Sequence, residues 1–384
     1  MIDWTAPMSQ TFEFYAVDPT TWTDKEAITT ITRGSILYDS GADTLGSASF
    51  DITKEVSEIY IGTYLVVEQN GESAKIPLGV HLVQTPEKTF DGRNYSMTLD
   101  AYTPLIELSD NVPPIGYTIT NGTNILTVAG ALTSELTRAP VIIGHSDKTV
   151  ERDYVSEEAD TWLTFLKDFI ANADYDYRLD DRCRVLFAPR IDIKAMQPVY
   201  AFNDDNSSIL YPDITISRDL YGIPNVVELI YSDDTQTIYS RAENHDVNSP
   251  ISIENRGRIV LHRESDVSLA GVPTQQILDD MAQQTLRDLS SLEYTVTYKH
   301  GYLPQVRVGD CVRLNYSAAG INNVKAKVIK QSITLESGCP VEETAIYTMP
   351  VRIERPADAE DEAVIEPVVI PDTIEEEEIT EPPA

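Results

Sequence analysis

The chain has 384 residues, 42% of them hydrophobic, and its 62 acidic against 29 basic side chains give a formal net charge of -33. This length and apolar content suit two or three domains with ordinary cores and exclude a chain that is disordered throughout. The deficit of Lys and Arg excludes sequence-specific binding of DNA or RNA, since a phosphate backbone needs cations to displace its counterions, but it leaves open contact with DNA that must not stick.

The N-terminal stretch MIDWTAPMSQTFEFYAVD has neither a basic nor an apolar signal region, and no run approaches the roughly 18 apolar residues of a membrane span. Residues 9 to 103 read as a β-meander. QTFEFYAV alternates, AITTITRGSILYD is rich in β-branched residues, and the runs around Asn70-Gly71 and Asp91-Gly92 are hairpins. After Pro104 the period becomes helical. GTNILTVAGALTSEL sets Ile125, Ala129, Leu132 and Leu136 on one face. SEEADTWLTFLKDFIANA does the same with Trp162, Phe165, Leu166, Phe169 and Ile170, and Ser156 is its expected cap. The hairpin YDYRLDDRCRVLFAPR follows.

From about residue 212 strands return, with IPNVVELIYSDDTQTIYSRAEN as a hairpin and RGRIVLHRES as a further strand. The helix VPTQQILDDMAQQTLRDLSSL carries Ile277, Leu278, Met281, Ala282 and Leu289 on a broad apolar face. In the closing strands Val306, Val308, Val312, Leu314, Val324, Ala326, Val328 and Ile333 are the expected core, and Gly309-Asp310 is a turn. The final stretch, ERPADAEDEAVIEPVVIPDTIEEEEITEPPA, is acidic and Pro-rich and reads as disordered on its own. It is either a solvated end or one whose short apolar pieces dock as extended strands on a partner's edge.

Little chemistry is written in the chain. His81, His145, His245, His262 and His300 fall in no metal-binding spacing, and there is no nucleophile elbow, phosphate loop or dinucleotide fingerprint. Asp174, Asp176, Asp180 and Asp181 lack the glycine and closing glutamate of a calcium loop and read as a hairpin turn with solvated carboxylates. Cys183, Cys311 and Cys339 lie far apart in strand-like runs, the setting of buried structural thiols. The expected catalytic residues, metal ligands and cofactors are therefore none. The one interaction element singled out is the run Glu375, Glu376, Glu377 and Glu378, as a partner-binding end.

The order of segments resembles that of the hub proteins of phage tails and baseplates, the family of the late control gene D proteins and of contractile injection system hubs. ITRGSILYDSGADTLGSASFDI and the hairpins after it are similar to the opening barrel of such hubs. EEADTWLTFLKDFIANADYDYRLDDRCRVLFAPR is similar to their insert, and DLYGIPNVVELIYSD with LPQVRVGDCVRLNY to their second barrel. The likeness spans roughly residues 9 to 350 and is one of pattern and order. It implies a β-rich α+β fold: two tail-tube-like antiparallel β-barrel domains, 1–104 and 212–353, flanking an α/β insert, 105–211, with a disordered acidic segment, 354–384.

The resemblance also implies a structural role and no enzyme. Three copies would form a ring at the distal end of the tail tube, in the virion, after assembly in the host cytoplasm. Six barrels would then match a six-fold tube to a three-fold tip around an acidic channel for DNA. The implied partners are the other copies, the tail tube or distal tail protein, and a spike, fibre or tip protein. Many hubs continue into a long spike, lysozyme or fibre region, and this chain instead has the short acidic segment. Two other readings compete: a tail-tip carbohydrate-binding module, which calls for an exposed aromatic cluster, and a glycoside hydrolase, which calls for one carboxylate pair in a cleft.

Overall fold

The computed structural model describes residues 2–349, except 91, 94, 206–208, 219, 234–235, 266, 268–273 and 290–291. The run 375–378 and the rest of segment 354–384 lie outside the described residues, as does Asp91 of the second expected turn. Strands form where the sequence has a period of two. In Gly46–Ile52 every second residue is buried, Ala48, Phe50 and Ile52 among them. Ser9–Val17 pairs antiparallel with Tyr60–Gln69 over its whole length, from Ser9↔Glu68 to Val17↔Tyr60. Tyr60–Gln69 then turns onto Glu72–Phe90 through Asn70 and Gly71, whose φ angles of 51° and 84° match the twist of the flanking strands.

The two β regions are not separate. Ile321–Thr334 is long enough, at 14 residues, to serve both. Its first half pairs with Cys311–Tyr316, and its second half pairs with Ile31–Asp39, from Lys330↔Asp39 to Thr334↔Ser35. On its other edge lies Pro340–Met349. One continuous 13-stranded sheet results, antiparallel except where Pro198–Asn203 runs parallel to Cys311–Tyr316. Of the expected closing core, Val306, Val312, Leu314, Ala326, Val328 and Ile333 are buried, while Val308 and Val324 are partly so.

Between the β regions, helices Ile125–Leu136 and Trp162–Ala171 pack against the hairpin Tyr175–Leu179 and Val185–Pro189. Trp162, Phe165, Leu166, Phe169 and Ile170 are all buried, as their spacing requires. The first helix instead buries Ile125, Leu126, Ala129 and Thr133, and leaves Leu132 and Leu136 partly covered. Ser156 does not cap the second helix. Thr161 does, in a reciprocal box with Thr164, and Ser156 bonds the Pro114 carbonyl at 3.2 Å. The cap falls directly before the first buried residue, where the first free N–H groups are.

By packing the described chain divides in two. Residues 222–290 form a compact unit of their own, and the rest of the described chain forms the other. In the smaller unit Val226–Ser232 pairs with Thr237–Glu243 and, in parallel, with Leu261–Ser265. One face of this sheet is closed by helix Gln275–Leu289, over a core of Val227, Leu229, Ala242, Leu278, Ala282 and Leu286. The helix thus buries a narrow i, i+4, i+8 stripe, and Ile277 and Leu289 are exposed, because a three-stranded sheet covers less of a helix than a broad apolar face needs. Leu210–Arg218 and Leu292–Gly301, which flank this unit in sequence, pair directly, ending at Arg218↔Tyr294, so the insertion leaves the large sheet intact.

A Cβ placed on Gly71 would meet nothing within 4 Å, so Gly71→Ala tests the turn backbone alone. We expect a loss of about 1–2 kcal/mol, the cost of a side-chain-bearing residue in the left-handed region, read as a lower denaturant midpoint.

Candidate functional site

The hairpin Tyr175–Leu179 and Val185–Pro189 fastens the helical insert to the sheet. Its turn is shaped by Asp180, which accepts from the backbone N–H groups of Arg182 and Arg184, both at 2.9 Å, and pairs with the Arg184 guanidinium. Cys183 follows with φ at 52°, a conformation that a residue with a Cβ adopts only where its surroundings hold it. Those surroundings belong to the first β region. The Val80 N–H donates to the buried Cys183 Sγ at 3.3 Å, and the Tyr38 hydroxyl lies 3.4 Å from the same atom. Burial pushes the Cys183 thiol up to about 11, which keeps it protonated.

Arg182 reaches the same region from the next position. Its guanidinium donates to the Trp22 carbonyl at 3.0 Å and to Asp24 at 3.1 Å, while the Trp22 indole donates to the Arg182 carbonyl at 3.0 Å. On the opposite side the hairpin grips the closing strands. Arg178 donates to the Val308 carbonyl at 2.8 Å and pairs with Asp310 at 3.0 Å, and Arg307 pairs with Asp181 at 3.3 Å. Gly309 has φ at 90°, and a Cβ there would lie 2.7 Å from the Arg178 guanidinium. The Gly309-Asp310 turn is therefore also the seat of an arginine.

These contacts surround a cleft of about 410 Å³. One wall is the run of residues 176–181, another is residues 306–309, and Tyr38, Leu45, Leu78 and Tyr302 supply apolar surface. Most of the carboxylates along it are committed: Asp176 to Arg190 at 2.6 and 2.8 Å, Asp180 to Arg184, and Asp181 to Arg307. Lys167 and Lys327 also line the cleft, and neither has an ion pair among the described residues. Desolvation holds the Lys167 ammonium below its usual range, against the attraction of Asp43, Asp176 and Asp168. The arrangement can bind through its apolar walls and its two lysines.

The acidic run of this hairpin is solvated in part: Asp174 and Asp176 are exposed, Asp181 less so, and Asp180 is largely covered. Asp174 pairs with Lys148, and the other three carboxylates are those just described, so the run is spent on ion pairs. Among the described residues no group of three or more His, Cys, Asp or Glu could hold a metal ion. All three cysteines are buried and unpaired. His145 is exposed, 3.4 Å from Asp147. His245 lies between Glu254 at 2.6 Å and Glu243 at 2.7 Å, and those carboxylates raise its pKa. His300 is fully buried, 3.3 Å from Glu343, which accepts from the Tyr298 hydroxyl at 2.6 Å and the Gln331 amide at 2.7 Å. Sequence reasoning missed Lys167, Arg178, Arg307 and Lys327. An isolated cation in a helix, strand or turn carries no signal, and Arg178 and Arg307 are brought together only by the fold.

No family model matches the sequence, and no curated protein matches it in sequence. Solved structures match it in fold. The chain is similar to the 43 kDa tail protein of prophage MuSo2 from Shewanella oneidensis, with a TM-score of 0.58 and 11% identity over 88% of this chain and 98% of that one. It is similar to the tail protein of Neisseria meningitidis MC58, with a TM-score of 0.55 and 12% identity over 88% of this chain and 96% of that one. A lidless PdpA-VgrG complex gives a TM-score of 0.52 at 7% identity, over 91% of this chain and 67% of that one. At such identities the shared property is the fold, which is that of phage tail proteins.

The core beneath this site contains a group that titrates. His81 is fully buried, with neither ring nitrogen hydrogen-bonded among the described residues, and burial alone lowers its pKa to about 3. The neutral form is favoured in the fold, while the unfolded chain takes up a proton near pH 6.5. Its contribution is thus intact above about pH 6.5 and is lost as the pH falls toward 3. Acid should erode stability through this window by up to about 1.4 kcal/mol per pH unit from this group. Denaturant titrations of His81→Leu across the window should show a correspondingly shallower slope.

Proposed function

We propose that this chain is a structural subunit of a phage tail hub. Three copies form a ring at the distal end of the tail tube, with the tube or a distal tail protein on one side and a spike, fibre or tip protein on the other. The observation that carries this reading is the pairing of Ile321–Thr334 with Ile31–Asp39. It joins two β regions of one chain edge to edge, as neighbouring tube-like barrels in a ring would be joined. If each region is one barrel, three chains supply six, and a six-fold tube meets a three-fold tip without a mismatch. The fold shared with tail proteins supports the same role.

The charge fits the task. An acidic lumen repels phosphate at short range, so DNA passes through without specific binding. With a formal charge of -33 per chain, a trimer has ample carboxylates to line such a channel. The role is mechanical, and no residue need be catalytic.

Light scattering over a range of concentrations, with negative-stain images of the same sample, tests this directly. The expected result is a mass of three chains and ring views with a central hole. A monomer at every concentration that also fails to close into rings on added tail-tube protein would remove the hub reading and favour a carbohydrate-binding module.

A further inference from the structure

The two β regions of the larger unit follow one pairing plan. In the first the neighbours run Ile31–Asp39, Gly46–Ile52, Tyr95–Tyr102, Glu72–Phe90, Tyr60–Gln69, Ser9–Val17. In the second they run Leu210–Arg218, Leu292–Gly301, Pro340–Met349, Ile321–Thr334, Cys311–Tyr316, Pro198–Asn203. Only the last pairing differs in direction, being antiparallel in the first region and parallel in the second. The register agrees as well. Leu82 pairs with Tyr60 on one side and Tyr102 on the other, as Lys327 does with Cys311 and Ile346. The same irregularity follows in both, between Val83 and Thr85 and between Val328 and Lys330. Residue 85 thus corresponds to 330. The row Ile36↔Ala48↔Ala101 likewise corresponds to Ile216↔Val296↔Ala345.

One contact breaks this equivalence. In the second region, the edge of Ile321–Thr334 past Val328 is covered by Ile31–Asp39 of the first. In the first region the matching edge, Glu72–Phe90 past Val83, has no strand paired along it among the described residues. Leu210–Arg218, the counterpart of Ile31–Asp39, pairs on one side only, and the sheet ends there. The chain therefore holds one complete joint and both halves of a second. The apolar side chains tell the same story. Ile36 and Leu335, at the joint, are 0% and 4% exposed, while their counterparts Ile216 and Phe90 are 37% and 54% exposed.

We infer that copies of this chain join by repeating that joint: residues 86–90 of one copy pair antiparallel with residues 214–218 of the next, in the register Lys88↔Ile216. The inference rests on the tail-hub reading and names the surfaces that would close its ring. The contact is head to tail, so each copy offers one edge forward and the other back, as a closed ring requires. In the joint within the chain, the Leu335 N–H donates to the Gly34 carbonyl and the Ser40 N–H to the Ile329 carbonyl. Residues 329, 331, 333 and 335 thus turn their backbone groups to the joint, and 84, 86, 88 and 90 are their counterparts. Pro86 lacks an N–H at this outer edge, where the loss spares the pairing with Tyr95–Tyr102.

A disulfide tests the register. Thr89 and Thr215 are the counterparts of Thr334 and Ser35, which pair without exchanging hydrogen bonds, so their Cα atoms would lie about 4.5 Å apart across the joint. Both are exposed, so Thr89→Cys/Thr215→Cys leaves the fold alone, and the three native cysteines are buried. Mild oxidation of the full chain, with tail-tube protein added, should give a covalent species of three chains that reductant returns to one. Lys88→Cys/Thr215→Cys puts the two thiols on opposite faces and should cross-link at least tenfold less. Trimers by light scattering that do not cross-link in the first variant overturn the inference and leave the hub reading standing. A disulfide within one chain, or a ladder running past three chains, also overturns it. A chain that stays monomeric throughout removes both.

Discussion

The larger unit depends on a wedge: the turn at residues 180–184, driven between the first β region and the closing strands. Its strength is apolar more than ionic. Ion pairs as exposed as Arg178–Asp310 and Arg182–Asp24 are each worth about 0–1 kcal/mol, while burying one large side chain yields about 1.5–3 kcal/mol. Trp22, Cys183, Tyr177 and Phe187 are all buried around the wedge. Two of them, Trp22 and Cys183, sit in the left-handed region at φ of 56° and 52°. Each such residue costs on the order of 1–2 kcal/mol, so the packing around it must exceed that cost. The charged pairs then set direction. They fix which carbonyl and which carboxylate each arginine meets, and so fix the register of insert against sheet.

With the wedge in place, the long strand Ile321–Thr334 can be shared. Its second half would be an exposed edge if Ile31–Asp39 were absent, and Ile31–Asp39 would have a free edge as well. Pairing them satisfies both rows of backbone groups and ties residue 35 to residue 334. Contacts so distant in sequence are costly to close, and the hairpin contacts from both sides lower that cost by holding the two regions together. The same logic explains why residues 222–290 are tolerated. They leave and return at strands that are already neighbours, so the sheet does not depend on them.

The strands and their turns were legible because their signals are local. Asn70-Gly71 specifies its turn through two positive φ angles, and the apolar alternation of the closing strands specifies their buried face. The helix face from Trp162 to Ile170 was legible for the same reason. The cap was not, since Ser156 and Thr161 are equally good residues and only the position of the first buried turn decides between them. The independence of residues 222–290 was hidden because its strands look like any others, and what separates them is the helix that closes on them. The cleft was least legible. Its arginines and lysines come from a helix, strands and loops whose meeting is a property of the fold.

The placement of cations in this acidic chain follows from the same wedge. Like charges separated by more than about 8–10 Å are screened at ordinary ionic strength, so a large negative excess spread over the surface destabilises little. Contacts at 3 Å are not screened in that way. Arg178, Arg182, Arg184 and Arg307 all stand at the wedge, each against an aspartate. The scarce positive charge is thus placed where segments must adhere at close range. The surplus carboxylates are left on the surface, where they disfavour close approach of other acidic polymers without weakening the joint beneath it.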